Sequence, residues 1–367
     1  MQYRDFGKTG LKISALGFGA MRLPMVGKHV DEDKAIETIH RAFELGVNYI
    51  DSAYFYCEHE SETVVGKALK GWRDKVIVST KNPDGSVDGD TWRKVLDEQI
   101  KKLDVEKIDV YHFHGIGWDE FQNEIMKKGG PMEAARKAQE EGLFTYLSFS
   151  FHDSPEALVK LADTGEFTSV TCQYNLLDRA NEPGIARAHE KGMGVVIMGP
   201  VGGGRLGAPS PEIQALLPGK SRSTPEIALR FVLSNPNVTC AISGMSTVEM
   251  VEQNAATASR EEPLTDEERQ AILAQLEEKQ KLAELYCTGC GYCMPCPHGV
   301  DIPGNFAAMN AYRVYGLKGH AAGRYGELAK KEASAAFCQE CGECEPKCPQ
   351  KIAIIDQLQE TCRALGS

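Results

Sequence analysis

Eight of the twelve cysteines in this 367-residue sequence fall between positions 287 and 348, in two tight groups. The second group reads Cys338-x2-Cys341-x2-Cys344-x3-Cys348 and runs straight into Pro349. The first reads Cys287-x2-Cys290-x2-Cys293-x2-Cys296 before Pro297, with Gly289 and Gly291 between the thiols. Thiolates are soft donors suited to iron–sulfur clusters, and close spacing lets one loop wrap three corners of a cube. Structural zinc is the alternative, but zinc ribbons pair Cys-x2-Cys knuckles instead of running four cysteines in a row into a proline. The spacing points to two [4Fe–4S] clusters. If the fourth cysteine of each group serves the opposite cluster, Cys287, Cys290, Cys293 and Cys348 surround one. Cys338, Cys341, Cys344 and Cys296 then surround the other. Cys57, Cys172, Cys240 and Cys362 stand apart and are read as packing or surface residues.

A second constellation lies upstream. One apolar run ends in Asp51, with Tyr56 five residues later; the next ends Ser79-Thr80-Lys81, and a third ends His112-Phe113-His114. Reducing a carbonyl by hydride requires a proton donor at the developing alkoxide. A tyrosine, with an ordinary pKa near ~10, is a poor acid unless a cation stabilises its phenolate. Lys81 could be that cation, Asp51 could hold it charged and aimed, and His114 could orient the carbonyl oxygen and share the proton transfer. The plainer alternative is a structural Asp51–Lys81 salt bridge, but four roles fitting jointly favour catalysis. His112 shares a strand face with His114, and it reads more readily as a packed interior histidine than as a substrate contact. His152 is weighed the same way. Trp118 suits either a pocket wall or lid packing.

These side chains need a frame that brings successive strand ends together. Short, almost continuously apolar runs at 13–18, 47–51, 76–80, 108–113, 145–150, 170–174, 195–198 and 239–242 read as strands covered on both faces. Amphipathic stretches alternate with them at 32–45, 60–69, 91–103, 132–141, 155–163, 182–191, 225–234 and 248–256. Eight β–α alternations imply an α/β fold, a (β/α)8 TIM barrel, whose active sites form at the C-terminal strand ends. An open doubly wound sheet is less well supported, because Gly17-Phe18-Gly19 lacks the third glycine of a dinucleotide fingerprint. Thr265 and Glu268 form a capping box opening a helix over 265–285. Helices are also expected at 305–315 and 325–335. The reading divides the chain into a barrel (1–260), a connecting helix (261–285) and a small, mainly α-helical ferredoxin-like dicluster domain (286–367).

With these motifs in place, the sequence resembles the aldo-keto reductase family, in the branch with a C-terminal ferredoxin-like domain carrying two [4Fe–4S] clusters. The resemblance covers residues 1 to about 258. It includes Gly7-Lys8-Thr9-Gly10-Leu11, the turn from Gly199 through Gly202, Gly203 and Gly204, and Ile242-Ser243-Gly244 running on to Asn254. It implies a catalytic tetrad at Asp51, Tyr56, Lys81 and His114. It also implies cofactor contacts from Ser150, Gln173, Met198, Gly199, Gly202, Gly203, Gly204, Ser246, Thr247 and Asn254. Gly244 and Met250 stand where basic residues often hold a 2′-phosphate, and Glu249 would repel one, so NAD(P)H is expected with NADH favoured. Arg205 or Arg222 could serve NADPH, and a flavin stays open. Phe151 and Met198 stand where asparagine and tyrosine are common, and Cys57 stands where glycine is usual.

A net charge of −11 argues against a nucleic-acid surface, and no apolar run of about 18 residues suggests a membrane span. The opening MQYRDFGKTG lacks the layout of a signal peptide. A cytoplasmic oxidoreductase from an oxygen-poor setting is expected. It would interconvert a small-molecule carbonyl and alcohol, with a ferredoxin-like or flavoprotein electron partner. The competing reading makes the cluster domain a structural or docking module without electron transfer.

Overall fold

The computed structural model describes residues 1–366 apart from 84, 86, 218–222, 288 and 350. Eight parallel strands close into a barrel in sequence order. They are β1 (Leu16–Gly19), β2 (Tyr49–Asp51), β3 (Ile77–Asn82), β4 (Ile108–Ile116), β5 (Phe144–Phe151), β6 (Ser169–Gln173), β7 (Gly194–Met198) and β8 (Cys240–Ser243). Continuous burial along β1, β2 and β8 explains their unbroken apolar character, since helices cover the outer face. The outer ring comprises α1 (Glu32–Glu44), α2 (Ser61–Ala68), α3 (Gly89–Leu103), α4 (Pro131–Glu140), α5 (Pro155–Asp163), α6 (Glu182–Glu190), α7 (Thr224–Leu233) and α8 (Val248–Ala258). Side-chain caps start several of them: Asp31 for α1, Asp88 for α3, Ser154 for α5 and Thr247 for α8 each accept an orphan backbone N–H.

Register fixes the chemistry. Asp51 on β2 stands opposite Ser79 on β3, and Lys81 on β3 stands opposite His112 on β4. The period of two then puts Ser79 with Lys81, and His112 with His114, on one face of each strand.

The chain folds as two compact units: residues 1–202 with 228–264, and residues 203–227 with 265–367. The second unit contains α9 (Asp266–Tyr286), α10 (Ile302–Arg313), α11 (Lys318–Lys330) and α12 (Ile354–Leu365). Thr265 and Glu268 make the expected capping box on α9. Its apolar centre includes Val300, Ile302, Phe306, Met309, Tyr325 and Leu358, with cysteines of both groups packed against it. Asn305, fully buried, donates to the carbonyls of Asp301 and Ala333 at 2.8 and 2.9 Å and accepts from Ala335 N at 2.8 Å. It thereby ties the start of α10 to the segment entering the second cysteine group.

Several boundaries differ from the sequence reading. The run 13–18 divides into a hairpin strand, Lys12–Ser14, and β1. The break comes where Ser14 Oγ donates to Leu16 O at 2.6 Å and Ser14 N donates to Asn48 Oδ1 at 2.7 Å. The helix expected at 325–335 instead covers Lys318–Lys330, its start masked in sequence by Gly319, Gly323 and Gly326. The terminal α12 was not expected.

Candidate active site and cysteine cavities

The ends of β2, β3 and β4 bring Asp51, Lys81, Tyr56 and His114 together. Lys81 Nζ donates to Asp51 Oδ2 at 2.6 Å, to Ser52 O at 2.7 Å and to Tyr56 Oη at 3.4 Å. It also lies 4.9 Å from the centre of the Tyr56 ring. Asp51 and Lys81 are each 1% exposed. Burial alone would lower the Lys81 pKa, but Asp51 and Tyr56 outweigh it and hold the ammonium above its ordinary value. The His114 ring meets Tyr56 edge-on, 6.0 Å between centres. Burial, then Lys81 and His152, push the His114 pKa down to about 3. At neutral pH His114 is therefore an uncharged imidazole that can donate or accept a hydrogen bond.

Tyr56 is presented by an unusual turn. Cys57, Glu58 and His59 all have positive φ, at 51°, 54° and 70°. Left-handed backbone is rare for residues with a Cβ, and three in succession need outside support. Cys57 Sγ contacts the carbonyls of Ala20 and Met21 at 3.6 and 3.5 Å. Glu60 binds His29 Nδ1 at 2.6 Å and Val30 N at 2.8 Å, and the His59 ring packs edge-on against Tyr54 and Phe55. Sequence reading noted Cys57 in place of glycine but not the turn, whose support comes from distant segments.

The expected cofactor residues are placed unevenly. Ser150, fully buried, accepts from Gly115 N at 2.7 Å, next to His114. Gln173 ends β6 with its amide beside Gly199, where a Cβ would come within 2.5 Å of Gln173 Oε1. Met198 ends β7. Gly199, Gly202, Gly203 and Gly204 all have positive φ, a backbone open to close approach. Thr247 Oγ1 caps α8 by accepting from Met250 N at 3.2 Å, while Ser246 Oγ contacts Met250 Sδ at 3.6 Å. Asn254 Nδ2 donates back to Ser243 Oγ at 3.3 Å. A basic residue that sequence reading missed is Arg22, whose stem packs beside Gly244, 3.2 Å from where a Cβ there would lie. Arg205 falls in the second unit, and Arg222 lies outside the described residues. An open cavity of about 420 Å³ at the ends of β5 and β6 is lined by Phe151, His152, Asp153, Gln173, Asp178 and Asn181, among others.

The two cysteine groups form two cavities, and chain order crosses over between them. One is lined by Cys287, Cys290, Cys293 and Cys348, with Pro303, Phe306 and Ile354. The other is lined by Cys338, Cys341, Cys344 and Cys296, and Cys293 also reaches it. Burial first, then neighbouring thiols, push Cys287 and Cys293 upward, and burial, then Glu345 and neighbouring thiols, do the same to Cys344. Four thiolates facing one cavity repel unless cationic iron sits among them, so the donor sets fit a cluster each.

Comparison with known proteins finds two family models on the chain. The aldo/keto reductase family model matches residues 15–277, and the 4Fe-4S dicluster domain model matches residues 286–360. L-galactose dehydrogenase of Arabidopsis thaliana is 30% identical over 290 residues, spanning 72% of this chain and 90% of the relative. The uncharacterized oxidoreductase YqkF of Bacillus subtilis is 28% identical over 307 residues, 74% of this chain and 95% of that one. The holo form of the aldo-keto reductase AKR11C1 from Bacillus halodurans superposes with a TM-score of 0.66 at 30% identity, covering 75% of this chain and 96% of that structure. No helix among the described residues is long and apolar enough to cross a membrane. A closed eight-stranded barrel and a family match over most of its length make this chain a member of the aldo/keto reductase family, an oxidoreductase extended by a C-terminal 4Fe-4S dicluster domain.

Proposed function

We propose that the barrel interconverts a small-molecule carbonyl and its alcohol with NAD(P)H, and that the dicluster domain carries two [4Fe–4S] clusters for electron exchange with a partner or bound cofactor. The observation that carries the barrel reading is Lys81 Nζ poised between Asp51 Oδ2 at 2.6 Å and Tyr56 Oη at 3.4 Å. Tyr56 gives its proton to the developing alkoxide, and the Lys81 ammonium stabilises the phenolate left behind. Asp51 keeps Lys81 charged and fixes its direction. Neutral His114 orients the carbonyl oxygen by hydrogen bonding. The nicotinamide supplies the hydride.

Ser150 and Gln173 suit the carboxamide, and Met198, soft and polarisable, would offer the ring an apolar contact. Gly199 and Gly202–Gly204 admit the pyrophosphate, while Ser246, Thr247 and Asn254 line the adenosine side. Exposed Glu249 in the first turn of α8 supports NADH over NADPH, and Arg22, whose stem lies beside Gly244, is the nearby basic residue that would favour the latter. Nicotinamide moves electrons in pairs and each cluster moves one, so coupling the two requires a flavin or a radical-stabilising substrate.

Tyr56→Phe is expected to abolish NADH-dependent carbonyl reduction while leaving the cluster absorbance intact; unchanged turnover would remove the tetrad assignment. In anaerobic titration, cluster signals should bleach on adding NADH and substrate. Turnover that survives loss of the clusters, with no bleaching, would sink the electron-transfer part alone.

A further inference from the structure

The barrel interior beneath Lys81 is polar where such interiors ordinarily hold branched apolar side chains. Ser79, His112, Ser148, Ser169 and Thr171 are all fully buried. His112 Nδ1 lies 3.3 Å from Thr80 O and 3.5 Å from Ser79 Oγ, while Nε2 lies 3.2 Å from Thr171 Oγ1. A carbonyl oxygen only accepts, so the ring proton belongs on Nδ1, and Nε2 accepts from the Thr171 hydroxyl. With Nδ1–H also facing Ser79 Oγ, the Ser79 hydroxyl turns its own hydrogen to Asp51 Oδ1, 2.9 Å away. One carboxylate oxygen is thereby occupied, and Oδ2 is left for Lys81 Nζ. Burial first, then Lys81 and more weakly His114, hold His112 neutral. It therefore brings no second cation to compete with Lys81 for Asp51.

We propose that His112 is a positioning residue of the reductase site, acting through Ser79 to hold Asp51 in the orientation that aims Lys81 at Tyr56. This rests on the tetrad reading above. Polar atoms this deep need a purpose, because burying an imidazole in place of an apolar side chain is costly unless every hydrogen bond is made. Here the bonds run one way from Thr171 to His112 to Ser79 to Asp51, and Lys81 donates to the other oxygen of the same carboxylate.

The test is steady-state kinetics on the full, cluster-loaded chain. In His112→Leu, kcat is expected to fall about tenfold or more, as loss of alignment at a reacting group does, with KM for substrate little changed. The basic limb of the kcat profile should move to lower pH, because a loosened Asp51 no longer holds the Lys81 ammonium up so strongly. His112→Asn, which keeps an N–H near the Nδ1 position, should recover most of kcat. Ser79→Ala should cost a similar factor, and the double variant no more than either single one, as residues acting in series do. Activity of His112→Leu within about twofold of the parent, equal loss in the Leu and Asn variants, or losses that multiply would each overturn the proposal. Ser79→Ala removes only a hydroxyl, so full kcat there overturns it even where His112→Leu does not fold. Tyr56→Phe, run in parallel, separates the two readings. If that change leaves turnover intact, the tetrad itself fails; if it abolishes turnover while the His112 and Ser79 variants do nothing, only the positioning role fails.

Discussion

Burying an imidazole beside an ammonium penalises its protonated form twice, by lost hydration and by like-charge repulsion. Both effects act on His114, in that order, and bring its pKa to about 3. In the unfolded chain the same ring takes up a proton near pH ~6.5. Below that pH the unfolded state binds more protons than the folded one, so stability rises with pH through this window and falls on acidification. The His114 contribution is complete above about 6.5 and is lost progressively toward 3, at up to about 1.4 kcal/mol per pH unit. Urea unfolding followed by tryptophan fluorescence checks this, since all three tryptophans, Trp72, Trp92 and Trp118, lie in the barrel unit. Between pH 6.5 and 5.5 the parent should lose about 1 kcal/mol more than His114→Phe. Parallel curves for the two proteins would show that His114 is not held neutral.

At the scale of elements, the turn from Cys57 to His59 stores strain next to the proposed proton donor. Each left-handed non-glycine residue costs on the order of 1 kcal/mol. Glycine at 57 would remove that cost at one position and forfeit only the weak thiol contacts to Ala20 and Met21. Cys57→Gly is thus expected to raise the barrel's unfolding temperature by about 1–3 °C, whereas Cys57→Val, β-branched and worst suited to positive φ, should lower it. Equal shifts for the two in calorimetry would show that the turn carries no strain at 57. Such a turn also marks where sequence reading stops. Asp51, Lys81 and His114 were legible because strand ends announce themselves by apolar runs that stop at ionisable residues. The two cysteine groups were legible because their spacing is local, and the cavities they line draw Cys348 toward the first group and Cys296 toward the second. The Ser79–His112–Thr171 line was not, since it joins three strands through register that no single segment encodes. Nor was Arg22 beside Gly244, where a residue after β1 packs on one that follows β8. Helix α11 was displaced for the opposite reason: its glycines suppress the local signal, and packing of α11 against α10 and α12 supplies what propensity does not.

For the whole molecule, the segment following the Gly202 turn is the informative piece. Residues 203–227 leave the barrel sequence after β7 but belong to the compact unit of 265–367. Ser210 Oγ donates to Tyr315 O at 2.8 Å, and Gln275 Nε2 donates to Leu216 O at 3.4 Å. The apolar centre of this unit is small, and thiols of both groups pack directly against it. A core of that size would depend on the proposed clusters as staples, because binding energy at the ligands is folding energy for the domain. Removing the clusters, by Cys341→Ser or by anaerobic chelation, is therefore expected to release the unit as one. Hydrogen exchange should accelerate across 302–365 and equally across 203–217, while amides of β2 to β6 keep their protection. If 203–217 stayed protected after 302–365 had opened, that segment would owe its order to the barrel instead.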